Sequence, residues 1–426
     1  METIFAPSTG TPPAAIAIVR ISGSAALTAA RALVGDLPAP REARVRTIRD
    51  PESGDHLDRA IVLVFPGPAS ATGEDLVELH LHGGRAVVAA VEASLSAQPG
   101  LRRAEPGEFT RRALGNGRID LAEAEGLSDL LTAETELQRR AALAMADGVL
   151  SRRIAGWRAA LLDLAAQIEA SLDFADEADV PPALLGDIRE RASSVAAEMA
   201  AALAAPTVER LRDGVRVVLA GPPNSGKSTL LNALSRRDAA IVSPIAGTTR
   251  DRIEVSVGRE GIPFVLTDTA GLRDTTDDAI EQIGIARADE AIAGADIVLW
   301  LGDDAPPAPH MLWLHARADL PGRGQPREGP IVSVSAQRGE TVEALWEIIA
   351  NHASVLIPKP GDVALNSRQA GHCSMAFDAL GDIDCADELV VADALRRANA
   401  ALARITGDVG VEAMLDAMFG KFCIGK

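Results

Sequence analysis

From residue 221 the chain reads Gly221-Pro-Pro-Asn-Ser-Gly226-Lys227-Ser228, which fits G-x-x-x-x-G-K-[ST]. The apolar run 215–220 stands directly before it, and residues 229–234 are compatible with a helix. A strand, a glycine loop and a helix in that order suit one kind of chemistry. The glycines let the backbone curl until its N–H groups point inward at phosphate oxygens, and the start of the helix adds positive potential. Lys227 would then reach the β- and γ-phosphates and the Ser228 hydroxyl would bind Mg²⁺. Asn224, Ser225, Gly226 and Thr229 complete this phosphate site.

Two further pieces lie at useful distances. Asp268-Thr269-Ala270-Gly271 closes an apolar run, which sets Asp268 to act on Mg²⁺ through water and the Gly271 N–H near the γ-phosphate. Gly247-Thr248-Thr249-Arg250-Asp251 lies between it and the glycine loop and offers a hydroxyl to complete the Mg²⁺ shell. In this order the pieces make a GTPase rather than a generic nucleotidase. Ser335-Ala336-Gln337 fits a guanine-contacting loop, whereas Ala316-Arg317-Ala318-Asp319 occupies the N-K-x-D slot and keeps only its Asp319.

Hydrolysis raises a difficulty. Many GTPases place a glutamine just after the D-x-x-G glycine to orient the attacking water. Here that position is Leu272, which can neither donate nor accept. The amide oxygen of Asn224 could hold a monovalent cation beside the phosphates and neutralise transition-state charge. Asparagine is equally at home as a turn residue.

The elements that must position these residues fall into three stretches. Residues 1 to about 117 mix short strand-like runs (15–21, 60–65 and the alternating 76–81) with a helix over 87–95, an α+β pattern. From about 118 the chain turns alanine- and leucine-rich. Leu161, Leu164, Ala165, Ile168 and Leu172 share one helical face, as do Val195, Met199, Ala202 and Leu203. The acidic run 173–179 and Pro181-Pro182 mark a turn between them, predicting antiparallel helices over 118–212. Short apolar runs at 215–220, 264–267, 297–300, 311–314 and 331–334 then recur at βαβ spacing, implying a mostly parallel sheet. Helical spacing resumes after about 358, through Leu389, Val390, Leu395, Leu402 and Ile405 to Met414, Leu415 and Met418. The expected domains are 1–117, a helical domain split into 118–212 and 358–426, and an α/β P-loop GTPase domain of 213–357 inserted into it.

Composition narrows the classes. With 47% hydrophobic and 24% charged residues the chain reads as globular, and no apolar run approaches the ~18 residues of a membrane helix. Cys373, Cys385 and Cys423 are too few and too scattered for a disulfide framework or a tetrahedral zinc site, which points to the cytoplasm. His80 and His82 alone do not make a metal site. Against 42 Lys and Arg stand 60 Asp and Glu, a net charge of −18 that disfavours a broad nucleic-acid platform.

At this point nearly the whole chain resembles a known family, the MnmE (TrmE) tRNA-modification GTPases. The likeness runs through Ile18-Val-Arg20-Ile-Ser-Gly23, Thr72-Gly-Glu-Asp75, His82-Gly-Gly84, Pro106-Gly-Glu-Phe-Thr110, Asn116-Gly-Arg-Ile-Asp-Leu121 and Ala124-Glu125. It continues through the GTPase motifs and Ile280-Glu-Gln-Ile-Gly284 to the terminal Phe422-Cys-Ile-Gly-Lys426. The resemblance implies a homodimer with an N-terminal folate-binding and dimerisation domain. It also implies a heterotetramer with the FAD-containing protein MnmG that modifies carbon 5 of the wobble uridine (position 34) of certain tRNAs. The carbon would come from a tetrahydrofolate derivative, the 5-formyl or 5,10-methylene form.

The same resemblance implies site residues. GTP contacts would extend over Ser243, Pro244, Ile245, Ala246, Gly247, Thr248 and Thr249, in addition to Thr269, Ala270, Ser335, Ala336 and Gln337. Potassium would be held by Asn224, Ser243, Ile245 and Thr248, and Mg²⁺ by Ser228 and Thr249. Glu281 would orient the water, and Arg20, Glu78, Arg118 and Lys426 would contact the folate. Arg118 stands where the family usually has lysine. Arg20 with Glu78 could equally be a structural ion pair, and Cys423 either a reactive thiol or a small packed residue. The competing reading is a GTP-timed RNA-binding switch in ribosome assembly, which would need a basic appendage that the acidic helical stretch does not supply. A folate transferase with a vestigial GTPase domain would not need Lys227, Ser228, Asp268 and Glu281 together.

Overall fold

A computed structural model describes residues 2–173, 185–236, 254–269, 287–323, 329–330, 332–359, 361–384, 387–407 and 425. The chain divides into two compact units, Met1–Ser128 with Thr406–Lys426, and Asp129–Ile405.

The first unit is built on strands β1 (Thr3–Pro7), β2 (Ile16–Ser22), β3 (Arg44–Arg49), β4 (His56–Phe65), β5 (Leu76–His82) and β6 (Leu101–Arg103). Their order is β3-β4-β5-β2-β1-β6, antiparallel throughout except for the parallel β1–β6 pair. Alternation along β2 explains the layering. Ala17, Val19 and Ile21 point to one face, where they are buried with residues of the helices Ala26–Val34 and Arg85–Ser96. Arg20 and Ser22 point to the other. Ile4 and Ala6 of β1 also face that second side and form a small core with Ala104 and Phe109. The strands β1, β3 and β6 lie outside the sequence expectation. β3 reads RVRTIR with only Ile48 buried, and β6 has three residues, so neither shows an apolar pattern.

In the second unit the expected helical faces are found. Leu161, Leu164 and Ile168 of Val149–Asp173 are buried, as are Val195, Met199 and Ala202 of Leu185–Ala204. The acidic run beyond Asp173 and Pro181-Pro182 lie outside the described residues. In the helix Glu388–Thr406 the buried series is Val391, Leu395, Leu402 and Ile405. Leu389 and Val390 depart from the expectation: both are exposed, while Val391 in the same turn is buried on the face it shares with Leu395, Leu402 and Ile405. Met414, Leu415 and Met418 lie outside the described residues.

The nucleotide-type sheet of this unit comprises β7 (Val215–Ala220), β8 (Glu254–Arg259), β9 (Ile262–Asp268), β10 (Ile297–Trp300), β11 (Leu312–Ala316) and β12 (Val332–Val334), in the order β12-β11-β10-β7-β9-β8. Every pair is parallel except β8–β9, an antiparallel hairpin at the edge. β7 is almost wholly buried, as a central parallel strand covered on both faces must be. A ligand on such a sheet belongs at the carboxyl ends of the strands. Among the described residues no helix is long and apolar enough to cross a membrane.

Candidate nucleotide and N-terminal sites

The carboxyl end of β7 runs into the glycine loop and then into the helix Lys227–Arg236. Gly221 has φ +146° and Gly226 φ +99°. A side chain at Gly221 would also press on the Leu301 backbone, 3.3 Å from where its Cβ would stand. Asn224 takes φ +58°, a conformation that asparagine tolerates better than most side chains, and it is exposed. Its turn role is thus satisfied by its backbone, and its amide is available to solvent.

Lys227 is buried and its Nζ donates to Gly221 O at 3.0 Å and Pro222 O at 2.9 Å, folded across the loop it would share with phosphates. The Ser228 hydroxyl donates to Asp268 Oδ2. Asp268 is buried at the end of β9, and Thr269 locks that strand end by donating its hydroxyl to Leu219 O at 2.9 Å. A hydroxyl and a carboxylate side by side are the hard oxygen donors that Mg²⁺ takes. Ser225 Oγ is buried with no hydrogen-bond partner among the described residues, a donor inside the loop that suits an anionic oxygen.

The segments 316–319 and 335–337 face each other across one pocket, lined by Gly226, Thr229, Leu230, Arg317, Asp319 and Gln337 among others. Arg317 has φ +57°, and its Cγ lies 3.3 Å from where a Cβ on Gly226 would stand, so its stem covers the loop side of the pocket. Ser335 is fully buried. Its N–H donates to Thr341 Oγ1 at 3.0 Å, and its Oγ accepts from Gln337 N at 3.2 Å. The Ser335 hydroxyl beside Asp319 holds that carboxyl below the usual range. The two sequence segments 316–319 and 335–337 are therefore brought together.

The first unit holds the other candidate group. Arg20 and Glu78 are direct cross-strand partners on β2 and β5. Arg20 donates to Glu78 Oε1 from Nε at 3.1 Å and Nη2 at 2.8 Å, and stacks 5.7 Å from the Phe109 ring centroid. His80 Nε2 lies 3.2 Å from Glu78 Oε2. The ion pair that the sequence left as an alternative thus exists, and with the aromatic platform it also fits recognition of a flat, hydrogen-bonding ring. Arg118 is exposed, with Nε donating to Ser70 O at 3.1 Å and its stem beside Gly73. His82, 2.7 Å from the buried Asp58 through Nδ1, belongs to a separate contact.

A relay that sequence reasoning missed ties these motifs together. Ser22 Oγ meets Thr72 Oγ1 at 2.7 Å and donates to Glu74 Oε2 at 2.8 Å, while Arg112 donates to Glu74 and to Glu108. Asn116 Nδ2 donates to Thr72 O at 2.7 Å. Thr72-Gly-Glu-Asp75 and Pro106-Gly-Glu-Phe-Thr110 are therefore two halves of one buried network under Arg20. Cys373 is buried, which pushes its thiol up to about 11. Ser243, Pro244, Ile245, Ala246, Gly247, Thr248, Thr249, Ala270, Gly271, Glu281, Cys423 and Lys426 lie outside the described residues.

The family model described as "GTP-binding protein TrmE N-terminus" matches residues 3–118, and that described as "MnmE helical domain" matches residues 121–423. The chain is 55% identical over 431 residues to the tRNA modification GTPase MnmE of Erythrobacter litoralis, with 100% of each chain covered. It is 53% identical over 439 residues to that of Novosphingobium aromaticivorans and 50% identical over 435 residues to that of Zymomonas mobilis, each at 100% coverage of both chains.

Proposed function

Because this chain belongs to the MnmE family of tRNA modification GTPases, we propose that it works as a potassium-dependent GTPase with the flavin-containing partner MnmG. It binds and hydrolyses GTP in the service of tRNA modification. In the finer reading, the homodimeric chain and MnmG act in the cytoplasm on carbon 5 of the wobble uridine, using a carbon from a tetrahydrofolate derivative. The observation that carries the GTPase half is the convergence of Lys227, Ser228 and Asp268 beside a pocket where Asp319 and Ser335 meet. Arg20, Glu78 and the Phe109 ring support the folate half.

The residues divide the work. Nucleotide binding moves the Lys227 amine from the Gly221 and Pro222 carbonyls onto phosphate oxygens. Ser228 and Thr249 would hold Mg²⁺, with Asp268 acting on it through water, and its charge would offset that of the phosphates. Asn224, with Ser243, Ile245 and Thr248, would hold potassium, which would supply the positive charge that an arginine finger supplies elsewhere. Glu281 orients the attacking water in place of the glutamine that Leu272 displaces, and Lys426 joins Arg20, Glu78 and Arg118 at the folate.

Steady-state turnover in K⁺ against Na⁺ tests this mechanism, with Glu281→Ala as the second arm. Turnover is expected to require K⁺, and the variant to keep nucleotide affinity while losing about 10²-fold or more in rate. Equal rates in the two salts, or a fully active variant, would discard it. Mass analysis of wobble uridines from cells lacking the chain tests the modification itself.

A further inference from the structure

The segment that replaces N-K-x-D has lost the side chain that would hydrogen-bond in its first slot. An asparagine there can make contacts that the Ala316 methyl cannot. Ala316 is also the last residue of β11, the point from which the base-reading loop departs. Its carbonyl nevertheless has a partner. Arg323 Nη2 donates to Ala316 O at 2.8 Å, and Arg323 Nη1 pairs with Asp303 Oδ1 at 2.6 Å.

The two ends of this bridge lie on neighbouring strands. Asp303 follows β10, which pairs with β11 in parallel, so the guanidinium clips their carboxyl ends together. Trp313 Nε1, from within β11, donates to Gly302 O at 2.9 Å and makes a second tie between β11 and the segment after β10. The loop between Ala316 and Arg323 is two successive turns. Leu320 N donates to Arg317 O at 3.1 Å and Arg323 N to Leu320 O at 3.2 Å, which carries Arg323 back to the start of its own loop. Asp319 sits within the first turn. The Arg323 side chain is 17% exposed, against 65% for Asp303, so the fork is held inside the loop rather than waving at its surface. A planar fork that grips a carbonyl and a carboxylate at once fixes orientation as well as distance.

We propose that Arg323 is a positioning residue for guanine recognition. By bridging Ala316 O and Asp303 it fixes the 317–320 turn and holds Asp319 against Ser335 across the base pocket. The inference rests on the reading that Asp319 meets the base.

Equilibrium binding of GDP and of inosine diphosphate, which lacks the 2-amino group, tests the brace in the full-length chain. Arg323→Met keeps the stem and removes the fork. It is expected to weaken GDP about tenfold, to raise KM for GTP in step, to leave kcat within about twofold, and to draw the GDP-to-inosine ratio toward one. Arg323→Lys should recover part of that ratio, because one ammonium can still reach one of the two partners. Asp303→Asn, at an exposed position that does not threaten folding, should shift the ratio in the same direction by about two- to threefold. A ratio unchanged in both Arg323→Met and Asp303→Asn overturns the proposal, as does a fall in kcat with KM unchanged. Xanthosine diphosphate binding to Asp319→Asn checks the underlying reading separately. A gain there with an unmoved ratio in the Arg323 variants rejects the brace alone, and no gain rejects both.

Discussion

Ser228 and Asp268, 40 residues apart in the chain, meet side chain to side chain where a helix begins and a neighbouring strand ends. In the described structure the hydroxyl donates to the carboxylate, so the two groups that would serve Mg²⁺, Ser228 directly and Asp268 through water, are already gathered around one point. Asp268→Asn keeps the shape and removes the charge. Its GTP turnover should fall on the order of 10²-fold and its nucleotide affinity should lose most of the Mg²⁺ dependence. With the metal chelated, the variant and the parent chain should bind GDP alike. A Mg²⁺ titration of turnover and affinity checks this, and an unaltered metal dependence in the variant would count against it.

The relay under Arg20 should make the first unit acid-sensitive. Burial pushes the Glu108 carboxyl up, but hydrogen bonds from Arg102, the Glu105 N–H and Arg112 outweigh it and hold the group at about 2 instead of 4.5. Because the folded-state value is the lower one, the stabilisation is complete above the unfolded value near 4.5 and is lost as pH falls toward 2. Glu108→Gln should therefore be less stable by on the order of 2 kcal/mol at neutral pH. The difference should shrink between pH 4.5 and 2. Hydrogen exchange of the helix Glu108–Gly115 across that range measures it. A difference independent of pH would mean that packing, not charge, accounts for the loss.

What could be read from sequence here, and what could not, divides by the range of the interactions involved. The glycine loop is a local device, in which eight consecutive residues determine their own backbone shape, so Gly221 to Ser228 were legible without tertiary information. The parallel strands were legible because burial on both faces leaves nearly unbroken apolar runs such as Val215–Ala220. The hairpin strand Glu254–Arg259 was not, since an edge strand that reads EVSVGR is only partly buried. Arg323 and Phe109 carry no local signature either. One matters because a loop returns it to Ala316, the other because a sheet register sets Arg20 above its ring. At Leu389 and Val390 the spacing misled, because both fall off the helical face that Val391, Leu395, Leu402 and Ile405 share.

Gly425 is constrained by its neighbours in the first unit. It has φ +100°, a Cβ there would stand 2.0 Å from Pro7 O, and Ser8 Oγ donates to its carbonyl at 2.8 Å. Gly425→Ala must therefore lift this residue off β1. Hydrogen exchange in the C-terminal peptide should accelerate while the sheet itself stays protected. If Lys426 contacts folate, the same variant should also weaken tetrahydrofolate binding in calorimetry. Ser8→Ala removes only one hydrogen bond, ~1 kcal/mol, and should show a smaller effect of the same sign. Unchanged exchange in Gly425→Ala would show that the close approach to Pro7 is not maintained in solution.

Base selection should survive the degenerate motif. An aspartate in this slot accepts from the guanine N1 and N2 groups, whereas adenine offers an acceptor at N1 and no 2-amino group, leaving the carboxylate unpaired. A site built to hydrogen-bond a group rejects analogues that lack it. The Ser335 hydroxyl keeps Asp319 below the usual carboxylate range, so the acceptor stays charged throughout the neutral range. Ala316 forfeits one neutral hydrogen bond to the base, ~1 kcal/mol, while the Arg317 stem still lines the pocket beside Gly226. GTP should therefore be preferred over ATP, with weaker binding and faster exchange than an intact motif gives. Asp319→Asn should turn the preference toward xanthosine triphosphate, whose C2 carbonyl accepts from the new amide. Competition of labelled GTP by ATP and by xanthosine triphosphate decides it. Equal competition by ATP against the parent chain would mean that Asp319 does not read the base.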